Sequence, residues 1–264
     1  MIGIFDSGSG GLSVLREILR ILPKEKYVYY SDNANCPYGE KSVEFIRNRA
    51  REITRLLISK GAQIIVVACN TATAAAISVL REEFPVKFIG MEPAVKPAAL
   101  SSKTGVIGVL ATAGTLKASR YLNIKEMFGD GTKIAEHVGE GFVELVENGI
   151  LDGPEAEETV RKSVLPLVAA GADRIVLGCT HYPFLRKVIE RVADPGVQVI
   201  DPAPAVARHL AEVMKQEGLL DHEYADVPAA AEIELIASGP ELPARRLLDT
   251  IISGHAGRQT ATKA

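Results

Sequence analysis

Two cysteines lie in closely similar settings, 110 positions apart. Cys69 belongs to the segment GAQIIVVACNT and Cys179 to the segment GADRIVLGCTH, so each follows an aliphatic run. Hydrogen-bonding pairs come next, Asn70–Thr71 after the first cysteine and Thr180–His181 after the second. A cysteine that only fills a core needs no such neighbours, whereas a thiolate is stabilised where a strand leads into a helix N-terminus. We therefore interpret both thiols as reactive groups.

A matched pair of thiols suits the inversion of a stereocentre. One sulfur removes a proton from one face of the carbon while the other delivers a proton to the opposite face, and the reverse reaction exchanges the two roles. Without pyridoxal phosphate, the carbanion depends on hydrogen bonds to the substrate carboxylate, which requires a site rich in donors. The donors expected there are Ser7, Asn70, Thr71, Thr112 and Thr180.

The chain repeats itself around these cysteines. IGIFDSGSGG near the start matches IGVLATAGTL at an offset of 105, which pairs Ser7 with Thr112. VKFIGMEPAV matches VQVIDPAPAV at an offset of 111, and the two cysteine segments match at 110. Three matches in one order predict two copies of one unit, about 2–95 and 107–206. Ligand sites of such units lie at the carboxyl ends of parallel strands, so we expect the two cysteines to face each other.

Short β-branched runs alternate with amphipathic stretches, a pattern typical of an α/β fold. Several runs are continuously apolar, which favours parallel sheets covered on both faces. The sequence therefore predicts two pseudo-two-fold-related parallel-sheet α/β units that face each other across a cleft. The first domain is 1–96 together with 207–264, and the second is 97–206.

A strand and a helix at 232–252 extend one unit, and we expect the polar tail 255–264 to be disordered. The predicted strands are 2–5, 26–31, 63–68, 86–90, 105–110, 132–137, 174–178, 196–200 and 232–237, and the predicted helices are 11–21, 41–59, 71–83, 155–170, 183–192 and 203–217.

The composition excludes several classes of function. The 264 residues are 47% hydrophobic and 24% charged with a net charge of −3, so nothing favours nucleic acid or an anionic membrane as a partner. The chain has no run of about 18 apolar residues that would span a membrane, and its N-terminus lacks the basic and apolar regions of a signal peptide. Three cysteines are too few for a disulfide framework. We expect a reduced, cytoplasmic protein.

A Gly-rich segment, DSGSGG, joins the first strand to the first helix. It matches neither a phosphate-binding loop nor a dinucleotide fingerprint, because no lysine follows the glycines and Ser13 stands at the last glycine position. We interpret it as a tight turn whose glycines adopt positive φ and which presents Asp6 and Ser7. A second loop, NCPYGEKS, holds Tyr38 partly buried. Its Cys36 has no counterpart in the second unit, and we expect it to be structural or incidental.

Few residues are placed to assist the thiols in acid–base chemistry. His181 lies two positions after Cys179 and is able to tune it. Glu147, in the segment FVELVENG, is a weaker candidate for the same work. The spacings CxxC and HExxH are missing and the histidines are scattered, so the sequence predicts no metal site.

At these residues the sequence resembles the cofactor-independent glutamate racemases of the aspartate/glutamate racemase superfamily. The segments DSGSGGLSVL, PYGEKS, ACNTATAAA and LGCTHYP match that family's motifs in order and spacing over about residues 2–206. The resemblance implies a homodimer that interconverts L- and D-glutamate for peptidoglycan synthesis without a cofactor. It implies that Cys69 works on D-glutamate and Cys179 on L-glutamate. The helpers that it implies are Asp6, Glu147 and His181, and the substrate contacts are Asp6, Ser7, Tyr38, Gly39, Asn70, Thr71, Thr180 and His181.

Other functions remain open at this point. An aspartate or hydantoin racemase would share the two-thiol chemistry and differ only in its pocket. A decarboxylase on this scaffold would keep a single thiol. A two-lobed amino-acid-binding protein would close on its ligand, but the missing secretion signal and the paired thiols argue against it. A thiol–disulfide oxidoreductase would carry a CxxC pair, which this sequence lacks.

Overall fold

The computed structural model describes residues 1–129, 131–220 and 231–261. In these residues nine strands form two separate sheets. Every strand predicted from the sequence is present, with its bounds within two residues of the expected ones. The strands are β1 (Ile2–Asp6), β2 (Lys26–Ser31), β3 (Ile64–Val67), β4 (Lys87–Gly90), β5 (Val106–Ala111), β6 (Lys133–Val138), β7 (Arg174–Gly178), β8 (Gln198–Ile200) and β9 (Glu232–Ala237).

Both sheets are parallel and share one strand order. The first reads β2-β1-β3-β4 and the second β6-β5-β7-β8, with β9 added to the first beside β2. This correspondence pairs β1 with β5 and β3 with β7, as the sequence repeat does. The predicted architecture of two similar α/β units is therefore confirmed, while the domain boundaries at 96 and 207 stay a prediction.

Helices cover the faces of both sheets, and the central strands β1, β3 and β7 are buried along their whole length. The six helices predicted from periodicity are present, the fifth as a 3₁₀ turn that leads into α9. The sequence analysis missed α4 to α7, since most of them are too short to show a helical period. None of the described helices combines the length and the apolarity that crossing a bilayer requires. The helices are α1 (Leu12–Ile21), α2 (Val43–Ser59), α3 (Asn70–Glu83), α4 (Val95–Ser101), α5 (Ala113–Lys117), α6 (Ser119–Gly129), α7 (Phe142–Glu147), α8 (Pro154–Ala169), α9 (Arg186–Val192), α10 (Ala203–Gln216) and α11 (Leu242–Ala261).

The C-terminal helix α11 is longer than the sequence predicted. It continues to Ala261, so the disorder expected for 255–264 is wrong as far as that residue, and 262–264 lie outside the described residues. It contacts α1, and its buried Leu248 and Ile251 belong to the same apolar core. This packing explains why the helix forms: burial of its apolar face adds stability that local propensity does not supply.

Hydrogen bonds join the two units at the carboxyl ends of their sheets. Ser13 Oγ donates to the carbonyl oxygen of Thr180 at 2.8 Å, and Thr180 Oγ1 donates to Asp6 Oδ1 at 3.2 Å. The loops that follow β1 and β7 therefore lie against each other. These are the ends at which parallel sheets build their ligand sites.

Candidate active site

Cys69 lies between β3 and α3 and is the N-cap residue of that helix. Its Sγ accepts a hydrogen bond from the Ala72 N–H at 3.4 Å and donates to Ser7 Oγ at 3.7 Å. We expected this helix end to favour the thiolate. The N–H bond is present, but burial and then the nearby Asp6 carboxylate raise the pKa of Cys69 well above its usual value. In this arrangement Cys69 is therefore a protonated thiol, which is able to act as a general acid.

Cys179 occupies the equivalent end of β7 but has a different partner. Its Sγ lies 3.8 Å from His181 Nδ1, and His181 Nε2 lies 2.7 Å from Glu147 Oε1. Burial alone lowers the pKa of His181, but its contacts with Cys179, Cys36 and Glu147 raise it well above its usual value. Burial raises the pKa of Glu147, yet hydrogen bonds from His181 and Ser9 bring it below its usual value. The two predicted helpers thus form a chain that leads from Glu147 through His181 to Cys179.

The Gly-rich loop between β1 and α1 is closely packed rather than left-handed. Gly8, Gly10 and Gly11 all have negative φ, so the expectation of positive φ is wrong. A Cβ on Gly8 would lie 2.3 Å from Glu147 Oε1, and a Cβ on Gly10 would lie 2.3 Å from His181 Nδ1. Glycine is therefore required at these positions because side chains of the second unit approach the loop backbone.

Asp6 is fully buried at the base of this loop. Its Oδ2 accepts hydrogen bonds from the N–H groups of Gly8 and Gly11 at 3.0 and 3.1 Å, and its Oδ1 accepts from Thr180 Oγ1. Burial raises the pKa of Asp6, although His181 and the two N–H bonds oppose the change. Asp6 does not line the cavity described next. Its hydrogen bonds hold the Gly-rich loop against the second unit. Its suggested substrate contact stays a prediction.

The two thiols line one cavity at the junction of the units. Asn70 stands on its wall, 3% exposed, and neither Oδ1 nor Nδ2 of its amide has a hydrogen-bond partner in the described part of the chain. A buried amide without a partner is costly, so this group points to a polar ligand. Of the residues suggested by sequence, all but Asp6 and Glu147 line the cavity. The lining residues are Ser7, Pro37, Tyr38, Gly39, Cys69, Asn70, Thr71, Thr112, Val143, Cys179, Thr180 and His181.

The cavity is closed where the turn at Tyr38–Gly39 meets α5. Thr71 Oγ1 of the first unit lies 3.0 Å from Thr112 Oγ1 and 3.2 Å from Thr115 Oγ1 of the second. The space left inside is about 10 Å³, roughly the room that one water molecule needs. An amino acid is much larger, so its admission requires the walls of the cavity to separate.

Comparison with known proteins identifies the family of the chain. The family model of the Asp/Glu/Hydantoin racemases matches residues 2–210. The chain belongs to this racemase family. A glutamate racemase of Methylococcus capsulatus is 47% identical over 254 residues, which cover 96% of this chain and 92% of that protein. The crystal structure of a glutamate racemase isoform from Bacillus anthracis matches with a TM-score of 0.84 at 32% identity, over 96% of this chain and 94% of that one. The Escherichia coli glutamate racemase in complex with L-glutamate and the activator UDP-MurNAc-Ala matches with a TM-score of 0.81 at 33% identity, over 96% and 93% of the two chains.

In this racemase the turn that carries Tyr38 rests on a buried ion pair that the sequence analysis missed. Asp32 is fully buried and accepts hydrogen bonds from Arg49 at 2.7 and 3.0 Å and from the Tyr38 hydroxyl at 2.5 Å. Burial raises the pKa of Asp32, but these bonds outweigh it and leave the pKa below its usual value. Arg49 lies 17 positions further on, in α2, so no local pattern announced the pair.

Asp32→Asn is expected to lower the free energy of unfolding by about 2 kcal/mol, because it removes the buried carboxylate that accepts charge-assisted hydrogen bonds from Arg49. The half-buried guanidinium of Arg49 then keeps the exposed Glu52 as its ionic partner. The lowered pKa makes the carboxylate stabilising above its unfolded-state pKa of about 3.9, and this contribution is lost as the pH falls through the folded-state value. Urea unfolding at pH 7 and near pH 3 should therefore show a gap between wild type and variant that shrinks in acid. Glu83→Gln, which removes an exposed partner of Arg51, is the control and should change little at pH 7. A gap that is absent at pH 7, or that grows in acid, would contradict this role of Asp32.

Gly114→Ala tests the contact that closes the cavity. The added Cβ would lie 3.0 Å from the Gly39 carbonyl oxygen and 3.2 Å from Thr71 Cγ2, so the walls would have to part by a few tenths of an ångström. We expect KM for the amino-acid substrate to rise several-fold, with a smaller change in thermal stability. Gly196→Ala, on an exposed turn where only an Asp194 oxygen is near, should leave both quantities unchanged. An unchanged KM in the first variant would mean that the site does not close here.

Cys36, which we expected to be structural or incidental, lies beside the site. Its Sγ, a ring nitrogen of His181 and a carboxylate oxygen of Glu147 all lie within 4.8 Å of one another. The only sequence signal for this placement is that Cys36 directly precedes the segment PYG, which lines the cavity. The three residues come from distant parts of the chain, so their spacing in the sequence did not predict that they are neighbours.

Proposed function

We propose that this racemase interconverts L- and D-glutamate by proton transfer to and from two cysteines, Cys69 and Cys179. The observation that carries the proposal is their placement: each thiol ends an equivalent strand of an equivalent unit, and both line one cavity beside the unpartnered amide of Asn70. A redox pair or a metal pair of cysteines has no need of this pseudo-symmetry, whereas a reaction that inverts one carbon uses both sides equally.

The reaction removes a proton from one side of the α-carbon and delivers a proton to the other side. With L-glutamate bound, the Cys179 thiolate removes the α-proton and the Cys69 thiol donates its own proton to the opposite face of the carbon. The C–H bond that breaks and the one that forms involve the same carbon, so the product differs only in configuration. Cys69 is then the thiolate and Cys179 the thiol, which is the state that acts on D-glutamate.

Hydrogen bonds to the substrate carboxylate stabilise the carbanion between the two steps. Asn70 Nδ2 has no hydrogen-bond partner among the described residues and is available to donate to a carboxylate oxygen. The hydroxyls of Thr71 and Thr112 bond to each other across the junction and are able to turn towards an anionic ligand. We place His181 and Glu147 behind Cys179 as helpers, since neither needs to touch the substrate to hold the thiolate in position.

Glutamate is the proposed substrate because the relatives that match most of the chain are glutamate racemases. By the same resemblance, we propose that the enzyme is a cytoplasmic homodimer that needs no cofactor and supplies D-glutamate for peptidoglycan. An aspartate or hydantoin racemase is the competing assignment, since the family model covers all three substrates.

The deciding experiment offers the purified protein L-glutamate, L-aspartate and a hydantoin in deuterium oxide, with a chelator and without pyridoxal phosphate. The proposal expects glutamate to lose its optical rotation and exchange its α-proton for deuterium, with at most slow turnover of the other two. Faster turnover of aspartate or hydantoin would reassign the substrate but keep the two-thiol chemistry. Exchange that requires an added cofactor would overturn the mechanism.

A further inference from the structure

A cluster of three metal-ligating side chains lies behind the catalytic cavity. It consists of Cys36, Glu147 and His181, whose sulfur, oxygen and nitrogen atoms lie within 4.8 Å of one another. His181 is 1% exposed, and the other two residues are half-buried. In the described part of the chain this is the one group of three such residues that could hold an ion. Thiol, imidazole and carboxylate together are the donor set that Zn²⁺ prefers, and they suit neither Mg²⁺ nor Ca²⁺.

Gly8 lets two of the three ligand atoms lie close against the backbone of the Gly-rich loop. A Cβ on Gly8 would lie 2.3 Å from Glu147 Oε1 and 3.0 Å from Cys36 Sγ, so both ligand atoms occupy space that any other residue at this position would fill. Tetrahedral zinc holds its ligand atoms about 3.3–3.7 Å apart, given bonds of about 2.0–2.3 Å. The present separations run from 2.7 Å, between His181 Nε2 and Glu147 Oε1, to at most 4.8 Å. Shifts of about 1 Å in the side chains are therefore enough to bind the ion.

We propose that Cys36, Glu147 and His181 form an inhibitory Zn²⁺ site. The ion accepts a lone pair from each of Sγ, Nε2 and a carboxylate oxygen, and a water completes four ligands. The proton of the Cys36 thiol and any proton on His181 Nε2 pass to the solvent. The ion is an inhibitor here and no part of the reaction.

Two consequences of binding account for the inhibition. First, the ion replaces the direct hydrogen bond between His181 Nε2 and Glu147, so the imidazole that supports Cys179 is held by the metal and not by the carboxylate. Second, Cys36 belongs to the first unit whereas Glu147 and His181 belong to the second, so the ion ties the two units together beside the cavity. Since substrate is admitted only when the walls separate, such a tie also slows access.

The experiment measures the melting temperature and the racemase rate of the full chain while Zn²⁺ is added, with EDTA to reverse its binding. At a free concentration of about 100 Kd, the melting temperature should rise by roughly 5–10 °C, and the rate should fall and recover with EDTA. Mg²⁺ at the same concentration should do neither. Cys36→Ser and Cys36→Ala should lose the shift and most of the inhibition, each compared with its own metal-free rate.

A second variant separates this site from the catalytic thiols. In Cys69→Ser with Cys179→Ser, Cys36 is the only thiol left, so the zinc-dependent shift and a thiolate-to-metal absorption band with Co²⁺ should both persist. Loss of both signals in this double variant would place the ion on the catalytic pair and overturn the proposal. A wild-type shift that survives in both Cys36 variants, or no shift in the wild type, would overturn it as well.

Discussion

Cys69→Ser and Cys179→Ser should each lower net racemisation of glutamate by about 10³-fold or more, because a serine hydroxyl is too weak an acid to replace a positioned thiol. Each variant keeps one of the two thiols that line the cavity, and that thiol still faces one side of the α-carbon. It is expected to remove and return the proton on its own face, which exchanges hydrogen without inverting the carbon. In deuterium oxide, Cys69→Ser should therefore label L-glutamate only, and Cys179→Ser should label D-glutamate only.

Thermodynamics supplies a check on these measurements. The two enantiomers have equal free energies, so the equilibrium constant is unity and kcat/KM must fall by the same factor in both directions. The isotope exchange of single enantiomers is free of this constraint, which makes it the informative readout. Cys36→Ser, tested without metal, is the matched control for replacing a thiol near the site, and it should still label both enantiomers. Net turnover that survives in both Cys69→Ser and Cys179→Ser would contradict the two-base mechanism. If either variant labels both enantiomers, the cavity thiol that remains is not confined to one face of the α-carbon.

The repeat explains why so much of this fold was predictable. Strands β1 and β5, and likewise β3 and β7, carry the same pattern of apolar residues, and each pair occupies the same place in its sheet. A residue at a strand end is then placed by topology alone, which is how Cys69 and Cys179 were assigned to one cavity before any distance was known. The short helices α4, α5 and α7 were not predictable because one or two turns show no clear period.

Contacts between distant segments were beyond the reach of sequence. The Gly-rich loop shows this most clearly: its glycines suggested positive φ, but the cause lies in Glu147 and His181, which press on Gly8 and Gly10 from the other unit. The raised pKa of Cys69 has the same origin, since helix position predicted a lower value and burial decided the outcome. Sequence patterns reflect the residues that are adjacent in the chain. The conformation of the Gly-rich loop and the pKa of Cys69 depend instead on residues that are adjacent only in the folded structure.

Asn70→Leu should separate stability from activity, because the free protein gains nothing from this amide. Asn70 is buried without a hydrogen-bond partner in the described residues, so a leucine of similar volume should raise the free energy of unfolding by about 1 kcal/mol. The substrate loses a donor to its carboxylate, and kcat/KM should fall by about 10²–10³-fold. Urea unfolding and steady-state racemisation measure the two effects.

The control for Asn70→Leu is Thr54→Val. Thr54, in α2, is also fully buried, and its hydroxyl has no partner within the part of the chain that the structure describes, but it does not line the cavity. The valine should likewise raise stability by about 1 kcal/mol, while kcat/KM stays at the wild-type value. If only Asn70→Leu loses activity, the amide of Asn70 binds the substrate, and the stability that the free protein loses by burying it is needed for the reaction. If Asn70→Leu is active, or if it is less stable than the wild type, the amide serves the fold and the carbanion must be stabilised by other donors.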